Sequence, residues 1–246
     1  MYNGHIGPYE RGVRSIMQRG VKMRTRRYLA AAMALAIALG LAGCGSVASR
    51  TWTATFVENY DEIEYWGKLE TGDPGTGEWL MDDNGLYMSE MVFFGPNGYT
   101  GDVTMKVVFR VAAGETDPVR SVDIGLSDGS GIPCPNALIA TFENLGNPGE
   151  DQCRVLDFGG GKGSELTVVH DLPPGNGLVN ELIMTKKGDK VKFQLNGVCL
   201  YDGSFACYGS EVFVPSICIM QDKAQGAIFE SVTVDYFGNA IDMGYI

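Results

Sequence analysis

Three stretches of this chain carry residue types at spacings that chemistry uses. Gly125-Leu126-Ser127-Asp128-Gly129 has the Gly-x-Ser-x-Gly pattern that exposes a nucleophilic serine on a strand-to-helix elbow. Ser130-Gly131-Ile132-Pro133 follows and does not start a helix where the elbow needs one, so the stretch reads as a glycine-rich turn. Phe158-Gly159-Gly160-Gly161-Lys162-Gly163-Ser164 has the glycine density of a phosphate loop, but Lys162 is followed by Gly163 rather than Ser or Thr. A strand-like run comes next, so no helix N-terminus faces an anion. Asp61-Glu62-Ile63-Glu64-Tyr65-Trp66 would put Glu62 and Glu64 on one face of a strand, as paired carboxylates acting on a glycosidic bond require. Gly67 stands where a third carboxylate would complete that set, which leaves an acidic strand. No catalytic residues are assigned.

Binding chemistry has better material. Sugar rings stack on exposed aromatic faces, and Tyr65 with Trp66 is the candidate platform. Core packing is the competing role for Trp66, and the expected one for Trp52 and Trp79. Asp128, Asn144 and Gln221 supply hydrogen-bonding side chains in or beside loops. His170, followed by Asp171, ends a strand-like run and joins this carbohydrate-binding set, a surface histidine without a role being the alternative. Asp82 and Asp83 are the candidate ligands for Ca²⁺, with Asp128, Asn144, Asn147, Glu150 and Asp151 as further loop oxygens, although no EF-hand spacing is present.

Cys44 carries a different chemistry. In Met23–Cys44, Arg24, Arg26 and Arg27 form a basic region, Tyr28–Ala42 an apolar run of 15 residues, and Leu41-Ala42-Gly43-Cys44 a site with small residues before an acylatable thiol. The run is short for a bilayer span. We expect residues 1–43 to be an N-terminal extension and cleaved lipoprotein signal peptide, with Met23 as the initiator, and residues 44–50 to be a lipidated tether. Residues 51–246 then form the folded domain. No aspartate follows the cysteine at Gly45-Ser46, which favours the outer membrane in a Gram-negative cell. Of the other cysteines, Cys134 with Cys153 and Cys199 with Cys207 are the most local disulfide pairings, and Cys218 is left as a buried free thiol.

Charge narrows the partners. Seven of the 19 Lys and Arg but only one of the 30 Asp and Glu precede Cys44, so the remaining 203 residues carry a formal charge of −17. That field repels nucleic acid and anionic lipid, so membrane attachment has to come from acyl chains.

These groups need elements to hold them. Gly and Pro recur about every ten residues, and short alternating runs lie between them. In Val103–Ala112, Met105, Val107, Phe109 and Val111 share one face and Thr104, Lys106, Val108 and Arg110 the other. Asp83-Asn84-Gly85, Lys187-Gly188-Asp189 and Asn196-Gly197 read as hairpin turns. Strands are expected also at 52–57, 62–66, 86–94 and 228–237, and no window shows a helical period. The expectation is an all-β antiparallel domain.

The order of these runs resembles the concanavalin A-like lectin/glucanase jelly rolls. Gly77-Glu78-Trp79-Leu80 through Gly85-Leu86, Tyr99-Thr100-Gly101-Asp102 before Val103–Val111, and Asn180 through Asn196-Gly197 carry the resemblance. The closing pair, Val214–Gln221 and Ile228–Val234, is similar to the branch containing 3-keto-disaccharide hydrolases, though Asp222-Lys223 and Glu230-Ser231 depart from that branch. The resemblance implies a jelly-roll β-sandwich of two antiparallel sheets. Its leading functional implication is a non-catalytic glycan-binding module. A glycoside or 3-keto-disaccharide hydrolase and a structural envelope lipoprotein are the alternatives.

Overall fold

The computed structural model describes residues 49–57, 59, 61–70, 77–89, 91–111, 122–128, 136–145, 149–159, 162–175, 179–205, 211–219 and 227–244. In chain order the strands are β1 (Arg50–Thr55), β2 (Gly67–Glu70), β3 (Glu78–Asp82), β4 (Gly85–Ser89), β5 (Met91–Phe94) and β6 (Asn97–Thr100). Then come β7 (Val103–Val111), β8 (Val122–Ser127), β9 (Ala137–Glu143), β10 (Gln152–Asp157), β11 (Ser164–His170) and β12 (Val179–Lys187). β13 (Lys190–Leu195), β14 (Val198–Ser204), β15 (Val212–Ile219), β16 (Ala227–Tyr236) and β17 (Ala240–Asp242) complete them.

These strands make two antiparallel sheets. The first runs β14-β13-β12-β7-β16-β4-β3, with β1 also on β16; the second runs β11-β10-β9-β8-β15-β5-β2, with β6 on β15 and β17 on β6. The alternation read in β7 has its physical cause here, because Met105, Val107 and Phe109 are buried while Thr104, Lys106 and Val108 turn outward. From the second sheet Ile124, Leu126, Phe142 and Val155 meet them in one continuous core. The aromatic contacts between Phe109 and Phe142 (5.8 Å) and Phe109 and Phe229 (6.1 Å) lie within it.

Turn chemistry sets the registers. Leu195 pairs with Val198 around Asn196-Gly197, whose φ values of 50° and 81° are the positive angles a tight hairpin needs. Asp82 pairs with Gly85 around Asp83-Asn84. A Cβ on Gly85 would stand 2.3 Å from the Phe229 carbonyl oxygen, so β4 can approach β16 only through a glycine there.

Two expected strands come out differently. Residues 62–66 contain a 3-10 turn, Glu62–Tyr65, so Glu62 and Glu64 do not share a strand face. The run 86–94 divides, β4 joining the first sheet and β5 the second. All four β5 residues are buried, which gives a continuous apolar run instead of an alternating one.

The sandwich has two distinct ends. At one, Arg50 pairs with Tyr236, Tyr236 with Val103 and Val103 with Lys186, and Lys190 with Ser204. β6 leads into this end, since Thr100 lies three residues before Val103. The far end holds Leu195, Val179 and the Asn196-Gly197 turn. His170 leads to it as well, because the Pro173 carbonyl just beyond accepts a 3.0 Å bond from the Asn196 amide. Asn196 also accepts from the Glu181 N–H at 2.9 Å and donates to Asn180 Oδ1 at 3.0 Å.

Candidate functional site

The outer face of the second sheet carries polar side chains where a solvent face would normally tolerate anything. In β8, Val122, Ile124 and Leu126 point to the core, so Asp123, Gly125 and Ser127 point away from it. Asp123 pairs with Cys218 on one side and Thr141 on the other, and Thr141 pairs with Arg154. One row further toward the far end, Gln152 stands between Glu143 and His170. Two adjacent rows thus bring an arginine, a carboxylate, an amide and an imidazole to one patch.

The patch is internally ordered. Arg154 Nη2 forms an ion pair with Glu143 Oε1, and the Gln152 amide donates to Glu143 Oε2. The two charged side chains remain 41% and 20% exposed, so the pair contributes at most about 1 kcal/mol to folding. Its effect is to fix direction, since a guanidinium held at one edge presents its other donors in a rigid fork. Arg154 Nε is buried and has no hydrogen-bond acceptor among the described residues, and Asp151 Oδ1, just before β10, has no donor among them. A buried donor left unpaired costs about 1–3 kcal/mol.

The residues singled out in the sequence separate into groups. Asn144, directly after Glu143, and His170, paired with Gln152, come to the same far end. Asn144 has a φ of 52° and its amide donates to the Glu150 carbonyl at 3.2 Å, closing the turn after β9. Asp128 lies at the opposite end of the second sheet, where it exchanges bonds with Asn136: its N–H to the Asn136 carbonyl at 3.0 Å, and the Asn136 amide to its carboxylate at 3.1 Å. Tyr65 is 58% exposed beside the β2 edge and away from the patch. Gln221 lies outside the described residues, as do Cys44, Cys134 and Cys207.

Trp66 is not a stacking platform. It is 1% exposed and packs against Trp52 at 5.9 Å and edge-on to Phe56 at 5.4 Å. The expectation for Trp79 reverses as well: it is 43% exposed on the edge strand β3, edge-on to Phe93 at 6.1 Å, with Lys68 Nζ 5.4 Å from its ring centroid. An edge strand leaves an inward-pointing ring half covered, which alternation alone does not reveal. Burial lowers the Lys68 pKa, opposed by the Glu64 carboxylate.

The expected calcium ligands sit at the β3–β4 turn, and the expected disulfides are revised. Both Asp82 oxygens are engaged by Asn84, Oδ1 by its N–H at 2.7 Å and Oδ2 by its amide at 3.3 Å, so Asp82 shapes the β3–β4 turn. Asp83 is exposed in that turn. Among the described residues no group of three or more His, Cys, Asp or Glu is placed to hold a metal ion. Cys153 and Cys199 are free thiols, which removes one partner from each expected disulfide. Cys153 points into the core from β10, and burial, with Asp123 and Glu143 adding to it, pushes its thiol pKa well up. Cys218 is a free, buried thiol, as expected, and burial followed by Asp123 raises its pKa too.

Ser127, the serine of the Gly-x-Ser-x-Gly stretch, is buried within β8 at the end of the sheet opposite His170. The residues that sequence reasoning missed are Glu143, Gln152 and Arg154. Their signal was available, because Gln152 and Arg154 alternate with Cys153 and Val155 across a strand.

No protein-family profile matches the chain, and no curated protein matches it in sequence. Among solved structures it is similar to the metal-free carbohydrate recognition domain of Emp46p, with a TM-score of 0.57 at 11% identity over 76% of this chain and 95% of that one. It is similar also to a structure described as a native glycosidic hydrolase, with a TM-score of 0.54 at 11% identity over 80% of this chain and 100% of that one. A third likeness is to the exoplasmic/lumenal domain of VIP36 in its Ca²⁺- and mannose-bound form, with a TM-score of 0.52 at 10% identity over 69% and 82% of the two chains. At such identities the likeness is one of fold: the chain is a jelly-roll-type β-sandwich of two antiparallel sheets.

Proposed function

We propose that this protein is a lipid-anchored glycan-binding module of the cell envelope, held by acyl chains on Cys44 and meeting its saccharide at the far end of the second sheet without catalysing its cleavage. The observation that carries the binding site is the in-register patch of Glu143, Gln152, Arg154 and His170, whose arginine side chain stays 41% exposed. Sugar hydroxyls both donate and accept, and a patch combining a carboxylate, an amide, an imidazole and a guanidinium answers both needs. The fold supports the reading, since a carbohydrate recognition domain and a mannose-bound domain share it. The signal sequence supports export and attachment, with the outer membrane favoured in a Gram-negative cell. Glycan-array screening of the domain, followed by titration of each hit against the wild type and Arg154→Met, tests the site. Wild-type binding that the variant weakens supports it; binding that the variant leaves intact places the saccharide elsewhere.

A further inference from the structure

We infer that the end of the sandwich where β1 begins is a bilayer-facing surface, with Phe237 and Ile241 seated at the lipid headgroup boundary and the glycan patch turned away from the membrane. This rests on the reading of Cys44 as the acylated residue. Six Cα steps separate Cys44 from Arg50, a reach of about 20 Å even when fully extended. An acyl anchor at Cys44 therefore keeps Arg50, and the strand ends paired around it, close to the lipid.

That end carries suitable side chains. Phe237, directly after Tyr236, is 46% exposed, and Ile241 is 42% exposed. Their backbone is not a loose tail. The Phe237 N–H bonds the Asp102 carbonyl at 3.1 Å, the Asn239 N–H bonds Thr100 Oγ1 at 2.9 Å, and β17 pairs with β6 from Ala240–Tyr99 to Asp242–Asn97. A Cβ at Gly238 would lie 2.1 Å from the Thr100 carbonyl oxygen, so the segment is pressed against the domain there. Two exposed apolar side chains held on a hydrogen-bonded backbone form a fixed surface.

Charge agrees with this orientation. The domain is strongly acidic, yet at this end the cations Arg50, Lys186, Lys187 and Lys190 stand against Asp102, Asp189, Glu211, Asp235 and Asp242. The near balance here makes this a surface that an anionic bilayer repels less than the domain's overall charge of −17 would imply. Along the nine residues of β7 the sandwich is about 30 Å deep, which lifts the Glu143–Gln152–His170 row clear of the headgroups.

The test uses the full protein purified from membranes, with the mass of its Cys44 peptide measured, reconstituted in phosphatidylethanolamine–phosphatidylglycerol vesicles whose chains carry bromine. Phe237→Trp is compared with Val198→Trp, at an exposed turn position of the far end, for quenching above the wild-type background. The expected result is quenching at position 237 at least threefold greater than at position 198. A second readout needs no substitution: amine labelling of Lys187 and Lys190 falls severalfold on vesicles relative to detergent, while that of Lys106, on the outer face of the first sheet, does not. Acylated Cys44 with equal quenching and unchanged labelling overturns the orientation while leaving the anchor in place. An unacylated Cys44 overturns the anchor, and the orientation with it.

Discussion

Arg154 and Glu143 are joined diagonally across β10 and β9: Arg154 pairs in register with Thr141, and its guanidinium reaches two residues along the neighbouring strand to the Glu143 carboxylate. The Gln152 amide holds the second carboxylate oxygen, so one glutamate orients two potential ligand-binding groups. Gln152→Ala removes one such group and relaxes the other. The expected outcome is a loss of saccharide affinity of about tenfold, about 1.4 kcal/mol. Urea unfolding should move by no more than about 1 kcal/mol, because the network is partly exposed.

Trp66 and Tyr65 are neighbours in sequence with opposite roles. Trp66→Ala should destabilise the domain by about 3–5 kcal/mol in urea unfolding, the cost of deleting a buried aromatic ring. Tyr65→Ala, at an exposed position, should cost less than about 0.5 kcal/mol. Equal effects would contradict the placement of Trp66 in the core.

The thiols differ in accessibility. Iodoacetamide at pH 8 on the native domain should modify Cys199, which is exposed, and spare Cys153 and Cys218, whose thiolates burial disfavours. After unfolding in guanidinium chloride all three should react. Peptide mass mapping checks this, and a Cys134–Cys153 disulfide in the native digest would contradict it.

Glu62 supplies a pH signature. Burial raises its carboxyl above the ordinary value of 4.5, opposed by the Trp66 side chain. The native state therefore holds a proton that the unfolded chain releases, and the contribution of Glu62 to stability is fully present below pH 4.5 and is lost as pH rises through the raised value. Glu62→Gln should remove this component, flattening the dependence of melting temperature on pH above 4.5 and raising it relative to wild type near neutrality. A parallel displacement of the two curves would contradict the assignment.

Much of the fold was legible because the core depends on period-two alternation, as in Met105, Val107 and Phe109, and on turns such as Asn196-Gly197 whose residues accept positive φ. The division of residues 86–94 between sheets was not, since a run buried on both faces has no period to read. The site was half legible. Asn144 and His170 were chosen for chemistry and do lie at one end of one sheet, but Asp128 fell at the other end because strand direction, not residue type, decides which loops meet. Arg154 and Glu143 lie 11 residues apart and become neighbours only through the β9–β10 register. Trp66 and Trp79 exchanged expected environments because coverage at a sheet edge depends on which strands lie beside it.

The measurement that bears most directly on the central claim is calorimetric titration of the best array glycan into wild-type and Arg154→Met protein, each in Ca²⁺ and again in EDTA. We expect saturable binding to the wild type, a loss of about tenfold or more in the variant, and the same affinity in both buffers, as direct hydrogen bonds from the second sheet would give. No saturable binding to the wild type, or equal binding to both proteins, would contradict a glycan site at Arg154. Loss of binding in EDTA would contradict its independence of metal.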